Sequence, residues 1–126
     1  MSLTNYGEEQ ILNATLRGQN MTGVTPYVAL FTSNPGETGE GTEVSGGGYE
    51  RVQATFTAPS NGTCSNSTDI VFPTATSSWG TITHFAIMSA ATGGNMWYYG
   101  PIDKATTVNA NGTFKFPAGN LTFTID

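Results

Sequence analysis

The sequence predicts an all-β fold, a two-sheet antiparallel β-sandwich of immunoglobulin-like or jelly-roll-like kind, entered through one short N-terminal helix. Three observations predict it. Charged residues make up only 10% of the chain while Gly, Thr, Ser and Asn are abundant, a mixture that favours strands and turns over helices. After Gly23 the apolar residues fall into short runs or strict alternation, separated by turn chemistry at short intervals. Eight or so such strands behind a single helix form the pattern of a sandwich, with a closed barrel as the alternative. A length of 126 residues suits one core, so residues 1–126 are read as one domain, with an N-terminal helical segment over 1–20 and a long acidic Gly-rich loop over 33–50.

The helix is predicted between Asn5 and Gly18. Asn5 is an N-cap residue type, with Glu8 three residues on as in a capping box. Glu8 and Glu9 complement the positive end of the helix dipole, Arg17 the negative end, and Gly18 stops it. Its apolar side is narrow: Leu12 and Leu16 lie one turn apart, Ile11 beside them and Tyr6 further back. A helix of about three turns is marginal alone, so it must pack on its own body or on a neighbouring subunit.

The strands follow in order. Tyr27 to Phe31 is continuously apolar, as expected of a strand covered on both faces. Arg51 to Thr57 alternates, with Val52, Ala54 and Phe56 inward and Arg51, Gln53 and Thr55 outward. Pro59, Asn61 and Gly62 turn the chain into a short strand around Cys64, and Ile70 to Phe72 makes another, closed by Pro73. Thr81 to Met88 and Met96 to Tyr99 flank Thr92-Gly93-Gly94-Asn95 and are predicted to form a hairpin. Thr106–Val108, Thr113–Phe116 and Leu121–Ile125 complete the set, with Asn109 to Gly112 and Pro117 to Asn120 as turns.

Charge and composition exclude several function classes. The net charge is −5 and only Arg17, Arg51, Lys104 and Lys115 are basic, so counterion release from a nucleic acid would supply almost no binding energy. No apolar run approaches the roughly 20 residues needed to span a bilayer. Thr4 to Gln10 is polar and acidic where a secretory signal is basic and then apolar, and Cys64 is the sole cysteine; synthesis and folding in a reducing cytosol is the expectation. Asn13, Asn20, Asn61, Asn66, Asn111 and Asn120 each open an Asn-x-Ser/Thr triplet, but a chain this rich in Thr and Ser produces such triplets by composition.

No catalytic constellation emerges, so catalytic, cofactor and metal residues are expected to be none. His84 is the only histidine; if strand alternation holds it shares a face with Ile82, Ala86 and Met88, as a structural histidine would. One histidine and one cysteine fall short of the ligands a zinc site requires, and Cys64 has no cation nearby in sequence to activate it. Two acids can run a glycosidase, and Glu37, Glu40, Glu43, Glu50, Asp69 and Asp103 are available, yet most of them sit in Gly-spaced sequence that would hold a carboxylate imprecisely. The aspartate spacing of calcium loops is missing. Residues 33–50 also lack the lysine and following helix of a phosphate loop, and are read as a long connection that becomes ordered when a neighbour supplies contacts. In Met96-Trp97-Tyr98-Tyr99, alternation places Trp97 and Tyr99 on one face, where an exposed pair would stack on sugars or anchor an interface. The candidate interface residues are therefore Tyr6, Leu12, Leu16, Glu37, Glu40, Glu43, Tyr49, Trp97 and Tyr99.

The stretch from Leu30 to Gly39 (LFTSNPGETG) with Gly41 to Arg51 (GTEVSGGGYER), and after it Ala58–Gly62, Ile70–Pro73, Trp79–His84, Ala91–Asn95, Thr107–Ala110 and Ala118–Leu121, resembles a family of small tailed-bacteriophage virion structural proteins often labelled tail fibre or minor structural protein. The resemblance spans nearly the whole chain; Met96-Trp97, where an aliphatic pair is expected, departs from it. It implies a non-enzymatic virion component, with synthesis in the host bacterial cytoplasm. The expected partners are phage structural proteins, either the major capsid protein or tail proteins, and a homo-oligomer is expected; charge and hydropathy exclude nucleic acid and membrane, and no cofactor is expected. Capsid decoration or cementing of repeated particle surfaces is the first expectation, and a tail-associated or fibre role, including a carbohydrate-binding adhesin, the alternative.

Overall fold

The computed structural model describes residues 1–125. Its elements run β1 (Ser2–Leu3), α1 (Asn5–Leu16), β2 (Tyr27–Phe31), β3 (Val52–Gln53), β4 (Thr63–Ser65), β5 (Ile70–Val71), β6 (Gly80–Met88), β7 (Met96–Val108), β8 (Lys115–Phe116) and β9 (Thr122–Thr124). Five strands form one antiparallel sheet in the order β1-β7-β6-β2-β3. Two short antiparallel ladders, β4–β9 and β5–β8, make the opposing layer. The predicted sandwich with one N-terminal helix is the fold.

Alternation explains how the layers close. Val28, Leu30, Phe85 and Ile87 from the large sheet meet Ile70, Phe116 and Phe123 from the smaller ladders, and Leu121 just before β9, in one buried cluster. Aromatic edges interlock there: Phe85 contacts Phe116 at a centroid distance of 6.1 Å and Phe123 at 5.9 Å, in the T-shaped geometry that the ring quadrupoles favour. The opposite face of the large sheet is also covered, with Ala29, Phe31, Ala86 and Met88 buried. That accounts for the unbroken apolar run of β2, which has no solvent side.

Two register shifts between β6 and β7 alter what strict alternation predicts. Between Ile82 and His84 the pairing slips, so Ile82 joins the inter-layer core while Ala86 and Met88 lie on the other face. The expectation that all three share one face is corrected accordingly. At the far end Ile87 pairs with Tyr98 and Met88 with Met96, leaving Trp97 as the extra residue of a bulge. β7 also runs unbroken from Met96 to Val108, so Thr106–Val108 is its final stretch rather than a separate strand.

Candidate interaction surface

The N-terminal segment is built onto this scaffold. β1 pairs with β7 through Ser2↔Tyr99 and Leu3↔Tyr98. Thr4, not Asn5, is the N-cap: its Oγ1 accepts from the Gly7 N–H at 3.1 Å and donates to the Met96 carbonyl at 2.6 Å. Gly7 is buried so close to β7 that a Cβ there would come within 2.9 Å of the Trp97 carbonyl oxygen, which is why this turn takes a glycine. Tyr6 sets its ring edge-on to Trp97 at 5.5 Å. The helix is therefore anchored through its first turn, and its far half stands clear of the body with Leu12 53% and Leu16 77% exposed.

The acidic loop is ordered by its own chain, which corrects the expectation that a neighbour must supply its contacts. Its first half lies over the outer sheet face: Pro35 is buried, Gly39 approaches the Met96 side chain, the Glu37 carbonyl accepts from the Asn5 N–H, and Tyr99 donates its hydroxyl to Glu37 Oε1 at 2.7 Å. That hydrogen bond holds the Tyr99 phenol above its ordinary pKa. The second half belongs to the core. Val44 is buried, and Tyr49 stacks on Phe72 and meets Trp79 edge-on. Gly46, Gly47 and Gly48 all have positive φ, and Gly47 lies so close to Ser77 and Trp79 that a side chain would not fit. Trp79 Nε1 donates to the Gly47 carbonyl at 2.8 Å, closing the contact.

A polar clamp fixes this second half. Arg51 donates from Nε and Nη2 to the two oxygens of Glu43, both at 2.9 Å, and from Nη1 to the carbonyls of Ala90 at 3.0 Å and Gly93 at 2.8 Å. The Tyr49 hydroxyl donates to Glu43 at 2.7 Å and accepts from the Leu30 N–H at 2.9 Å. Burial, with the Glu43 hydrogen bond second, raises the Tyr49 pKa well above its ordinary value, and the same carboxylate raises that of Arg51. Glu43 and Tyr49 thus face inward, whereas Glu40 is exposed at the loop tip.

The remaining reactive groups are dispersed. His84 Nδ1 lies 2.8 Å from Thr83 Oγ1, and partial burial lowers its pKa. Cys64 sits in the opposing layer, paired with Phe123. Among the described residues no three His, Cys, Asp or Glu side chains converge as a metal site, and no helix is long and apolar enough to cross a membrane.

One apolar cleft of about 280 Å³ opens between the linker that follows the helix and the two layers, where Met21 and Val24 face Phe56, Cys64, Trp97 and Phe123. Trp97 is only 8% exposed, so it is no open stacking platform: the bulge turns it between Tyr6 and this cleft. The proposed Trp97–Tyr99 pair is split, with Tyr99 on the outer face under the acidic loop. Sequence reasoning missed Thr4, Arg51 and Met21. Arg51 stood in an alternating strand that sent it to solvent, and Met21 in a stretch with no periodicity to read.

A family model described as podophage GP4 fiber I protein gp80 matches residues 2–124. The chain belongs to that family. The match encloses β1, the helix, the loop and both layers, so it concerns the whole fold and not one motif. It also agrees with the resemblance to phage virion structural proteins carried by the loop sequence. Comparison with curated proteins finds no match. The family is one of phage fibre structural proteins, and its description supports a tail-associated setting over capsid decoration.

Proposed function

We propose that the protein is a non-enzymatic, tail-associated structural subunit of a podophage particle and works as a fibre component. The family match over residues 2–124 carries this reading. The surface supports it. Glu37 bonded to Tyr99, and Glu43 bonded to Arg51 and Tyr49, hold the acidic loop as part of the scaffold, so the loop presents a fixed surface. A scaffold with both faces of its main sheet covered offers shape and adhesive patches to partner phage proteins.

Burial of Trp97 removes the support for a sugar-stacking adhesin that uses that ring. Capsid decoration, the first expectation from sequence, has no counterpart in the family description. Gold-conjugated antibody against the protein, applied to intact particles, is expected to mark tails. Label arrayed over the heads would overturn the tail-associated reading and return the protein to shell decoration.

A further inference from the structure

Two of the Asn-x-Ser/Thr triplets also contain Asn-Gly, at Asn61-Gly62 and Asn111-Gly112. This dipeptide has a chemistry of its own. The backbone nitrogen of the second residue attacks the side-chain carbonyl carbon of the asparagine, and glycine, having no side chain, hinders that attack least. Both asparagines are exposed at turns and both hold the left-handed backbone conformation, with φ of 54° at Asn61 and 68° at Asn111. Sequence and conformation do not separate the two sites; hydrogen bonding does.

Asn111 is pinned. Its N–H donates to the Ala75 carbonyl at 2.7 Å, the Gly112 N–H donates to the Asn109 carbonyl at 2.8 Å, and the Gly112 carbonyl accepts from the Ala75 N–H at 2.9 Å. The nitrogen that would attack is therefore held, and turning it toward the Asn111 side chain breaks a bond. Asn61 and Gly62 are instead the central pair of a two-residue hairpin turn with φ of 54° and 76°, closed by reciprocal Ser60–Thr63 bonds of 2.9 and 3.1 Å. The Gly62 carbonyl accepts from the Ile125 N–H at 2.9 Å. The peptide group joining Asn61 to Gly62 makes no hydrogen bond among the described residues, so its rotation breaks none.

We infer that Asn61 is a self-modification site, which deamidates by attack of the Gly62 nitrogen while Asn111 is spared. The Gly62 nitrogen gives up its proton and bonds to Asn61 Cγ; the Cγ–Nδ2 bond breaks, and Nδ2 leaves with that proton as ammonia. The cyclic imide then takes up one water and opens at either carbonyl, to aspartate or to isoaspartate. Each product adds one negative charge to a chain of net charge −5. Isoaspartate also inserts a methylene into the backbone of a turn whose length sets the Ser60–Thr63 register. The displacement passes to the Gly62–Ile125 bond and to the β4–β9 ladder beside it. In a fibre subunit, which is not replaced after assembly, the change accumulates with particle age; this consequence rests on the fibre reading, and the chemistry does not.

The test uses purified full-length protein held in warm, mildly alkaline buffer, and so is independent of where the protein sits on a virion. Peptide mapping by mass spectrometry, with fragmentation that separates isoaspartate from aspartate, is expected to find conversion at Asn61 roughly tenfold or more faster than at Asn111. In guanidinium, where both turns are lost, the two rates should converge. Asn61→Gly keeps the left-handed turn and removes the reactive amide, so its β4–β9 amides should stay protected on ageing while those of the converted wild type exchange faster. Equal rates at the two sites in the folded protein, or faster conversion at Asn111, overturn the inference. Converted protein whose β4–β9 amides exchange as slowly as before overturns the effect on the ladder.

Discussion

Tyr49 shows how one hydroxyl group ties a glycine-rich loop to a β-sheet. It donates to Glu43 and accepts from the Leu30 N–H, so it joins the clamp of Arg51 to the middle of β2. Removing it leaves a partly buried carboxylate and a backbone donor each short of a partner. Tyr49→Phe is therefore expected to cost about 1–3 kcal/mol at neutral pH. The pH dependence has a definite sign. The folded state holds the phenol proton well above the ordinary value of 10.0, whereas the unfolded chain releases it there. Above that pH the unfolded state binds fewer protons, so the contribution is complete below pH 10.0 and is lost as pH rises, by up to about 1.4 kcal/mol per pH unit. Urea unfolding between neutral and strongly alkaline pH should show the wild type falling more steeply than Tyr49→Phe and the two curves converging. Tyr98 and Tyr99, also raised, add a slope common to both proteins. Parallel curves would place the Tyr49 proton outside the linkage.

At the level of single elements, the N-terminal helix depends on a partner far away in sequence. Thr4 Oγ1 both caps α1 and reaches the Met96 carbonyl, 92 residues on. Thr4→Ala should cost about 1–2 kcal/mol, and hydrogen exchange should quicken first in the opening turns of α1 while the β6–β7 amides stay protected. Uniform acceleration would mean that the helix and sheet open as one unit. This case also shows what a sequence can reveal. The helix was legible because caps, acids and stop residues are local signals, but Thr4 and Asn5 are both good cap types and only Met96 decides between them. The β6–β7 hairpin was legible from its glycine turn and flanking apolar runs. The Trp97 bulge was not, since one inserted residue leaves the composition of a strand unchanged, and it redirected the aromatic pair on which a sugar-binding reading rested. The loop misled for a similar reason. Its anchors, Pro35, Val44 and Tyr49, are spaced through polar glycine-rich sequence with no period of 2 or 3.6 to expose them. Of the candidate surface, the Leu12–Leu16 ridge was readable as a narrow stripe, while the cleft, assembled from six separate segments, was not.

For the molecule as a whole, stability is concentrated where the large sheet meets the short ladders. The opposing layer holds only two- and three-residue strands, and ladders of that length are too short to be stable alone. What fixes them is side-chain interlock, with Phe116 of β8 in edge contact with Phe72, Phe85 and Phe114. Phe116 is 3% exposed, so truncation opens a cavity shared by both layers. Phe116→Ala should cost about 3–5 kcal/mol and lower the melting temperature by about 10 °C or more in a single cooperative transition. Calorimetry decides between this and a looser arrangement. If the ladders were held mainly by backbone pairing, the loss would be small, and the β4–β9 and β5–β8 amides would exchange separately from the large sheet. A single transition instead means that the ladders, the clamped loop and the sheet beneath them unfold as one cooperative unit, as expected of a subunit that acts by shape.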